Sequence, residues 1–242
     1  MAYEELKKII DNSSNIVFFG GAGVSTESNI PDFRSENGLY KTKSNTSYPP
    51  EVMLSHSFFE NNKEEFFEFY RNKMIYKDAK PNDAHKALVK LEQMGKLKAV
   101  VTQNIDGLHQ AAGSKKVIEL HGSIHRNYCL NCGKKFDLQY VLNSKTNVPL
   151  CDECGGVVRP DVVLYEEGLD ESSIRDAIEY IENADVLIVG GTSLVVYPAA
   201  GLVQYYKGNK LILINRSSTP YDRSANMVLN DSIGKVLKSV IE

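Results

Sequence analysis

The sequence predicts an α/β fold, in which a parallel sheet carries helices on both faces and a smaller module is inserted late in the chain. Short apolar runs, each ending in glycine or polar residues, alternate with helical patterns, and this alternation favours a parallel sheet. The segment 123–160 departs from that rhythm and contains all four cysteines. With 242 residues, 42% of them apolar, the chain has room for one large domain with an embedded module.

The bulk properties exclude several classes of protein. A net charge of −3 gives no reason to expect attraction to nucleic acid or to a membrane surface. The polar start of the chain, Met1 to Glu5, does not resemble a secretory signal, and no apolar run approaches the roughly 18 residues of a membrane span. Clustered cysteines fit a metal site in a reducing compartment better than a disulfide framework, so we expect a cytoplasmic protein.

The chain begins with an amphipathic helix over 2–11, followed by a strand from Ile16 to Phe19 whose unbroken apolar character is typical of a buried parallel strand. Gly20 to Gly23 come next, and residues without side chains let the backbone turn sharply and approach a nucleotide phosphate. The third glycine of the usual GxGxxG is absent, because Thr26 stands at that position. A plain structural turn is the alternative interpretation of this loop. The attached run SNIPDFR makes the loop specific, since a turn needs neither an ordered aromatic nor an arginine.

Residues 35–56 are polar and rich in Ser, Asn and Pro, which predicts a mobile loop. The stretch after it carries aromatic side chains at helical spacing. They are Phe58, Phe59, Phe66, Phe67, Phe69 and Tyr70. Such a stripe is usually part of a core, and one wall of a substrate cleft is the alternative.

Two polar clusters follow apolar runs in the middle of the chain. A helix begins after Pro81, and the strand Leu97 to Thr102 then leads directly into the polar residues 103–109. The short apolar run Val117 to Leu120 ends at His121. Because ligands bind beyond the carboxyl ends of the strands in an open α/β sheet, both clusters are candidate site residues.

The last third of the chain again alternates between strands and helices, with strands expected over 162–165, 186–189 and 211–214. Small and hydroxylated residues, Gly190 to Ser193, follow the second of these strands, and Asn215 follows the third. Both positions suit phosphate or ribose contacts to a dinucleotide. An ordinary turn is the alternative for either loop alone.

The cysteines form two CxxC pairs separated by 18 residues. They are Cys129, Cys132, Cys151 and Cys154. Two such pairs complete a tetrahedral site for one zinc ion, and four sulfur ligands leave no open position, so this zinc is expected to be structural. A nucleic-acid-binding zinc ribbon is the competing interpretation. Segment 123–160 holds five basic and three acidic residues, and the thiolates add negative charge, so its near-neutral balance argues against phosphate binding.

For acid–base chemistry His121 is the best candidate, because imidazole titrates nearest to neutral pH and a strand delivers it beside another strand end. A structural histidine is the alternative. Asn104 and Asp106 suit the binding of an amide and a water, with turn or capping chemistry as their alternative. The sequence contains neither a GxxxxGK[ST] phosphate loop nor a complete nucleophile elbow.

Together and in order, these motifs resemble those of the sirtuins, which are NAD-dependent protein-lysine deacylases, in a bacterial-type single-domain form. The resemblance is carried by GAGVS with SNIPDFR, QNIDGLH, the histidine–glycine pair, the cysteine pairs, RPDVVLYEE, GTSLVVYPAA and the strand before Asn215. It implies a Rossmann-like large domain formed by 1–34, 81–122 and 161–242. The helical insert 35–80 and the zinc module 123–160 would form the small domain.

The resemblance implies that NAD lies between the domains and that the acetyl group of an acetyl-lysine moves to ADP-ribose as nicotinamide leaves. The implied catalytic residues are His121, as general base on a ribose hydroxyl, and Asn104. The implied NAD contacts, from the nicotinamide end to the adenosine end, are Ala22, Thr26, Phe33, Arg34, Gln103, Asn104, Ile105, Asp106, His121, Thr192, Ser193, Asn215, Ser232 and Ile233. Val163, Tyr165 and Val196 would hold the substrate peptide as an added strand.

Three places depart from the family's usual pattern. Asn29 replaces a glycine of SGIPDFR, so a slightly different loop backbone is expected there. Tyr165-Glu166-Glu167 replaces Phe-Gly-Glu and adds a carboxylate beside the peptide groove, which favours basic flanking residues in substrates. Members that remove succinyl or malonyl groups use Tyr-x-x-Arg, whereas the match here is Tyr70-x-x-Lys73, and lysine lacks the planar fork of arginine. We therefore expect a preference for neutral acyl groups.

The alternative functions are mono-ADP-ribosyl transfer, which shares the cleavage of NAD, and removal of acidic acyl groups. A silent NAD-binding module that docks acyl-lysine is disfavoured because a pure binder needs neither His121 nor Asn104. A nucleic-acid-binding zinc protein comes last.

Overall fold

The computed structural model describes residues 2–36, 38–41 and 48–241 of the chain. The helices are α1 (Ala2–Asp11), α2 (Pro50–Met53), α3 (His56–Asn61), α4 (Lys63–Lys73), α5 (Asp83–Gln93), α6 (Leu108–Ala112), α7 (Leu138–Leu142), α8 (Glu171–Asn183) and α9 (Ile233–Ile241). The strands are β1 (Ile16–Gly20), β2 (Leu97–Thr102), β3 (Val117–Glu119), β4 (Gly122–Cys129), β5 (Lys135–Phe136), β6 (Val158–Val162), β7 (Val186–Gly190), β8 (Leu211–Ile214) and β9 (Met227–Leu229). No helix in these ranges is long and apolar enough to cross a membrane.

The larger sheet has six parallel strands in the order β3-β2-β1-β7-β8-β9. The chain builds outward from β1 to β3 and then returns to β7 on the other side of β1. The order therefore reverses between β1 and β7, where Gly20 lies opposite Gly190 in register. Ligands bind at such a switch point in open α/β sheets.

The central strands of this sheet are buried along their whole length, because apolar clusters cover both of its faces. On one face α1, α5 and α9 contribute Leu6, Leu88 and Leu237. On the other face α8 and a 3-10 helix contribute Ile181 and Ala200. The parallel α/β fold predicted from the alternating pattern is confirmed.

The smaller sheet has three antiparallel strands in the order β5-β4-β6. Helices α2 to α4 pack near it through the aromatic stripe, in which Phe59 and Phe66 meet edge to face at 5.0 Å and Phe66 and Tyr70 are stacked. Every aromatic side chain of that stripe is buried. The interpretation of the stripe as core is therefore confirmed.

Two expectations differ from the structure. The strand expected over 162–165 ends at Val162 and belongs to the small antiparallel sheet, where it pairs with β4 across a register shift. A proline and two charged residues interrupt the apolar pattern of β6, so the local sequence does not predict this strand. Its antiparallel pairing with β4 is what identifies it. The loop expected over 35–56 contains the short helix α2, which Pro50 begins, while Asn37 and residues 42–47 of that loop lie outside the described residues.

Candidate functional site

The loops that follow β1 and β7 pack directly against each other at the switch point. The Gly23 amide donates to the Gly191 carbonyl oxygen at 2.7 Å. Gly191 has a φ of +63°, and a Cβ atom on it would lie 2.3 Å from the nitrogen of Val24. Only glycine fits there, because a side chain would push the two loops apart. This sheet edge is therefore lined by backbone, which suits the approach of a nucleotide.

A buried hydrogen-bond network joins the loop after β1 to the loop after β2. Ser25 donates from Oγ to Asp106 Oδ2 at 2.6 Å and accepts from Asn104 Nδ2 at 3.1 Å. The other carboxylate oxygen of Asp106 accepts from the Leu108 amide at 2.9 Å. Burial raises the pKa of Asp106 above its ordinary value, and the hydrogen bonds from Ser25 and Leu108 oppose that rise.

Ser25 was not among the predicted site residues, although it lies between two of them. The sequence gives one signal for it, a hydroxyl directly after the glycine turn. Its partner Asp106 is 81 residues away, so only the fold brings the two together. Ile105, another of the predicted NAD contacts, is half-buried and accepts a hydrogen bond from the Ile124 amide at 3.0 Å.

His121 sits where β3 gives way to β4, at the same edge of the sheet. Its Nδ1 lies 2.9 Å from the Gln103 carbonyl oxygen. A carbonyl can only accept, so the neutral ring carries its proton on Nδ1 and keeps a lone pair on Nε2. Burial lowers the pKa of His121 below its ordinary value, against the opposing effect of the Gln103 carbonyl. The side chain is thus a fixed, uncharged base at neutral pH.

A second chain of hydrogen bonds runs along the strand ends. Gln103 donates from Nε2 to Thr192 Oγ1 at 3.1 Å, and the Thr192 amide donates to Asn215 Oδ1 at 3.0 Å. Asn215 Nδ2 is buried and has no hydrogen-bond partner among the described residues. A buried donor without a partner is costly, so it points to a polar ligand atom at this position.

The remaining predicted NAD contacts divide into two groups. Thr26 donates from its hydroxyl to the Gly23 carbonyl at 3.0 Å, and Ala22 begins the 3-10 turn beside it. Phe33 and Arg34 lie further along the loop, where both contact Tyr40 instead of the network around Asp106.

On the adenosine side, Ile233 is buried at the switch point, and a Cβ atom on Gly190 would lie 2.1 Å from its Cδ1. Ser232 is half-buried and directly precedes α9, whereas Ser193 is exposed. The structure thus gathers Ile233 at the sheet edge and leaves the Ser193 side chain facing solvent.

The sequence model of the Sir2 family matches residues 21–198, most of the chain. The chain belongs to the Sir2 family. The sirtuin resemblance of its motifs is therefore confirmed.

Several relatives of this Sir2-family chain match over almost their whole length. The NAD-dependent protein deacetylase of Clostridium acetobutylicum is 74% identical over 98% of this chain and 97% of its own. The protein of the same name from Clostridium tetani is 71% identical over 99% and 97%. Among solved structures, a Sir2 protein with a p53 peptide and NAD+ is 40% identical, with a TM-score of 0.87 over 99% of this chain and 97% of that chain.

The zinc module of this Sir2-family chain brings all four cysteine sulfurs within 4.8 Å of one another. The Sγ atoms of Cys129 and Cys154 are 3.4 Å apart, and those of Cys132 and Cys151 are 3.7 Å apart. Zinc–sulfur bonds of about 2.3 Å in a tetrahedron separate the sulfurs by about 3.8 Å. The thiols therefore fit one structural Zn²⁺, as the spacing predicts, with no position left for a substrate.

The predicted peptide-binding residues of the Sir2 site lie on two loops. The Val163 amide donates to the His121 carbonyl oxygen at 3.0 Å, which puts the segment after β6 directly beside the histidine. Tyr165 is 37% exposed, so its ring is reachable from solvent. Val196 is half-buried on the loop after β7, and its carbonyl accepts from the Ala200 amide at 2.8 Å.

Proposed function

We propose that this chain is an NAD-dependent protein deacetylase, which transfers the acetyl group of an acetyl-lysine to ADP-ribose and releases nicotinamide and the deacetylated protein. The observation that carries the proposal is the fixed orientation of His121, whose Nδ1–H is held by the Gln103 carbonyl at 2.9 Å. The relatives named NAD-dependent protein deacetylase support it. So does the fold shared with Sir2 bound to an acetylated peptide, which is 38% identical with a TM-score of 0.87.

The hydrogen-bond network around Ser25 and Asp106 suits the nicotinamide end of the dinucleotide, and the one from Gln103 to Asn215 suits the adenosine end. Asn104, Ile105 and Asp106 would hold the nicotinamide, and Ser25 fixes the Asp106 carboxylate for that task. Buried donors and acceptors fixed before the ligand arrives bind a polar group without reorganisation. Ala22, Thr26, Phe33 and Arg34 would cover the nicotinamide ribose, and Gln103 would reach it. Thr192, Ser193, Asn215, Ser232 and Ile233 would take the adenosine half, with the unpaired Asn215 Nδ2 as one donor.

NAD supplies the ribose carbon to which the acetyl oxygen bonds, and nicotinamide is its leaving group. His121 accepts a proton at Nε2 from a hydroxyl of the bound ribose, because the other ring nitrogen is committed to Gln103. Its lowered pKa keeps that nitrogen unprotonated at neutral pH. Asn104, which is 9% exposed and donates to the Ser25 hydroxyl at 3.1 Å, would orient polar groups of the bound ligand.

The peptide side completes the proposed site. Val163, Tyr165 and Val196 would flank the substrate peptide, which would lie between their loops as an added strand. The backbone of Tyr165 is already bonded to Leu54 and His56, so this residue would contribute its side chain. We propose the division of the chain that the family implies, with 1–34, 81–122 and 161–242 as the large domain. The insert 35–80 and the zinc module 123–160 form the small one.

The test is nicotinamide release from NAD, with and without an acetyl-lysine peptide, by the wild type and by His121→Ala. We expect release that needs the peptide and that falls by about 10²- to 10⁴-fold in the variant, the usual loss for a general base. Mass spectrometry of the treated peptide should show loss of the acetyl group. Release without peptide, together with a peptide that gains ADP-ribose, would establish mono-ADP-ribosyl transfer instead.

We also propose that neutral acyl groups are preferred over succinyl or malonyl groups. Tyr70 is fully buried and stacked on Phe66, whereas Lys73 is exposed. The nearby Arg71 donates to the Asn147 carbonyl at 2.7 Å, so its guanidinium is already engaged. An acyl carboxylate would lack the charge-assisted hydrogen bonds that an arginine fork provides.

Rates on one peptide, acetylated or succinylated, measure this preference. We expect kcat/KM to be about 10-fold or more higher for acetyl, because a hydrogen bond to a charged group contributes about 1.5–3 kcal/mol. Lys73→Arg is the matched variant, since it supplies the fork without changing the charge, and it should narrow the difference. A faster succinyl rate in the wild type would contradict the proposal.

A further inference from the structure

The tripeptide Tyr165-Glu166-Glu167 is where this chain departs from the family's usual Phe-Gly-Glu, and its backbone is firmly held. The Tyr165 amide donates to the Leu54 carbonyl and its carbonyl accepts from the His56 amide, both at 3.0 Å. These two bonds form a parallel bridge between the loop after β6 and the start of α3. The backbone of Tyr165 is thus fixed, and its ring can turn only about the side-chain torsions.

The two glutamates strengthen the same attachment. Glu166 has a φ of +76°, a region that favours glycine, and its carboxylate accepts from the Ser57 amide at 2.9 Å and from the Ser57 hydroxyl at 2.6 Å. Glu167 pairs with the largely buried Arg159 at 2.6 Å and accepts from the Leu164 amide at 2.9 Å. Both side chains hold the loop to its neighbours, so Tyr165 stands on a rigid base.

The Tyr165 hydroxyl is hydrogen-bonded to the hydroxyl of Tyr40. Tyr40 belongs to the loop that carries Phe33 and Arg34: its amide donates to the Phe33 carbonyl at 2.9 Å, and its ring lies 5.5 Å from the Phe33 ring. The Arg34 guanidinium lies over the Tyr40 ring at 5.4 Å. One side-chain bond therefore connects a peptide-side residue to the loop assigned to the nicotinamide ribose.

Phenylalanine at position 165 cannot form this bond, because only the tyrosine carries a hydroxyl. Burial, reinforced by the bond to Tyr165, raises the pKa of Tyr40 well above its ordinary value. The Tyr40 hydroxyl therefore stays protonated throughout the neutral range.

We propose that the Tyr40–Tyr165 pair couples peptide binding to NAD binding, so that Tyr165 is a positioning residue for the Phe33–Arg34 loop. This inference rests on the proposed function, which puts peptide at Tyr165 and NAD under that loop. A peptide strand beside Tyr165 restrains its ring, the ring restrains Tyr40, and Tyr40 holds Phe33 and Arg34 over the ribose. Coupling between two binding sites is reciprocal, so NAD and peptide strengthen each other's binding by the same factor.

The test uses Tyr165→Phe, Tyr40→Phe and the double variant, with ADP-ribose as a probe that does not react. Calorimetry measures the Kd of ADP-ribose with and without an acetyl-lysine peptide. In the wild type, peptide should tighten ADP-ribose binding, and each single variant should reduce that factor by about 2- to 10-fold, the range for one hydrogen bond. The double variant should match the singles, because both hydroxyls serve one bond. The KM for NAD should rise in the variants while kcat changes little.

Tyr140→Phe is the matched control, since its hydroxyl donates to the Leu150 carbonyl at 2.7 Å in the zinc module. It should leave the coupling factor unchanged. The coupling would be overturned if both single variants kept the wild-type coupling factor, or if their losses added in the double variant. Peptide-dependent nicotinamide release would uphold the proposed function in either case. A wild type that binds ADP-ribose equally with and without peptide would overturn the coupling as well. If the wild type released no nicotinamide, the proposed function would fail first, and the calorimetric comparison would still decide the coupling.

Discussion

The two sheets of this protein are stabilised in different ways. All five residues of β1 are buried, and it pairs with a strand on each side, so burial alone accounts for its order. In the smaller sheet, β5 has two residues and pairs with no strand but β4 in the part of the chain that the structure describes. The strands of the smaller sheet pack in one buried cluster with the cysteine site and the aromatic stripe, as Val158 does with Cys129 and Phe59. The residues proposed to contact NAD thus follow strands that are buried on both faces, whereas we expect the segment that leads to Val163 and Tyr165 to depend on the zinc site.

Zinc removal should produce the largest difference in stability between the two sheets. The free energy of binding zinc, about 10–16 kcal/mol in structural sites, enters the folding of such modules directly. We expect chelation or Cys151→Ser to unfold β4 to β6 and abolish activity, because β4 and β6 flank His121 and Val163. The large sheet should keep its secondary structure.

Circular dichroism and zinc content measure this difference, with Lys145→Ala as the control at an exposed position of the same module. The control should keep one zinc per chain and full activity. A zinc-free Cys151→Ser protein with normal activity would show that the small sheet stands without its metal.

Acid should lower the free energy of unfolding of the large domain through two buried histidines on α5 and α6. His85 and His109 are buried with ring centroids 4.7 Å apart, and burial lowers the pKa of His85 to about 4 and that of His109 to about 3. Below the ordinary value of about 6.5 the unfolded chain takes up protons that the folded chain does not. The free energy of unfolding should therefore fall as pH falls from 6.5 towards 4, by up to about 1.4 kcal/mol per pH unit for each histidine.

Urea unfolding between pH 7 and 5 measures that slope, and His109→Met should reduce it. The variant has one titrating group fewer in the core, while its zinc site is unchanged. An equal slope in both proteins would show that His109 does not contribute to the acid sensitivity.

The smallest expected effect concerns a contact within the large domain. Glu27 accepts from the Gly234 amide at 3.0 Å, at the N-terminus of α9, and so joins the loop after β1 to the helix that carries Ile233. Glu27→Gln keeps an acceptor but removes the charge, which should cost about 0.3–1 kcal/mol. Thermal unfolding and the KM for NAD should shift slightly, and Glu68→Gln on α4 should shift neither. A KM for NAD that rose more than 10-fold would show that Glu27 does more than join two elements.

Much of the large domain was predictable because its strands are continuous apolar runs that end in glycine or polar residues. The strand Leu97–Thr102 and the four cysteines were read directly from local pattern and spacing. The contacts of Ser25 and of Glu27 were not, because their partners lie 81 and 207 residues away. The β6 strand was misplaced for the same reason: antiparallel pairing with β4 defines it, and no local apolar run reveals it.

The close contact between Gly23 and Gly191 has a consequence for the mutational tolerance of the chain. A Cβ atom on Gly23 would lie 2.8 Å from Gly191 Cα, so neither position has space for even the smallest side chain. A complete substitution scan should therefore show two intolerant positions that touch no reacting atom. Their intolerance would reflect lack of space and, at Gly191, also the positive φ. Functional assays of such variants would report loss of the site's shape rather than loss of a chemical group.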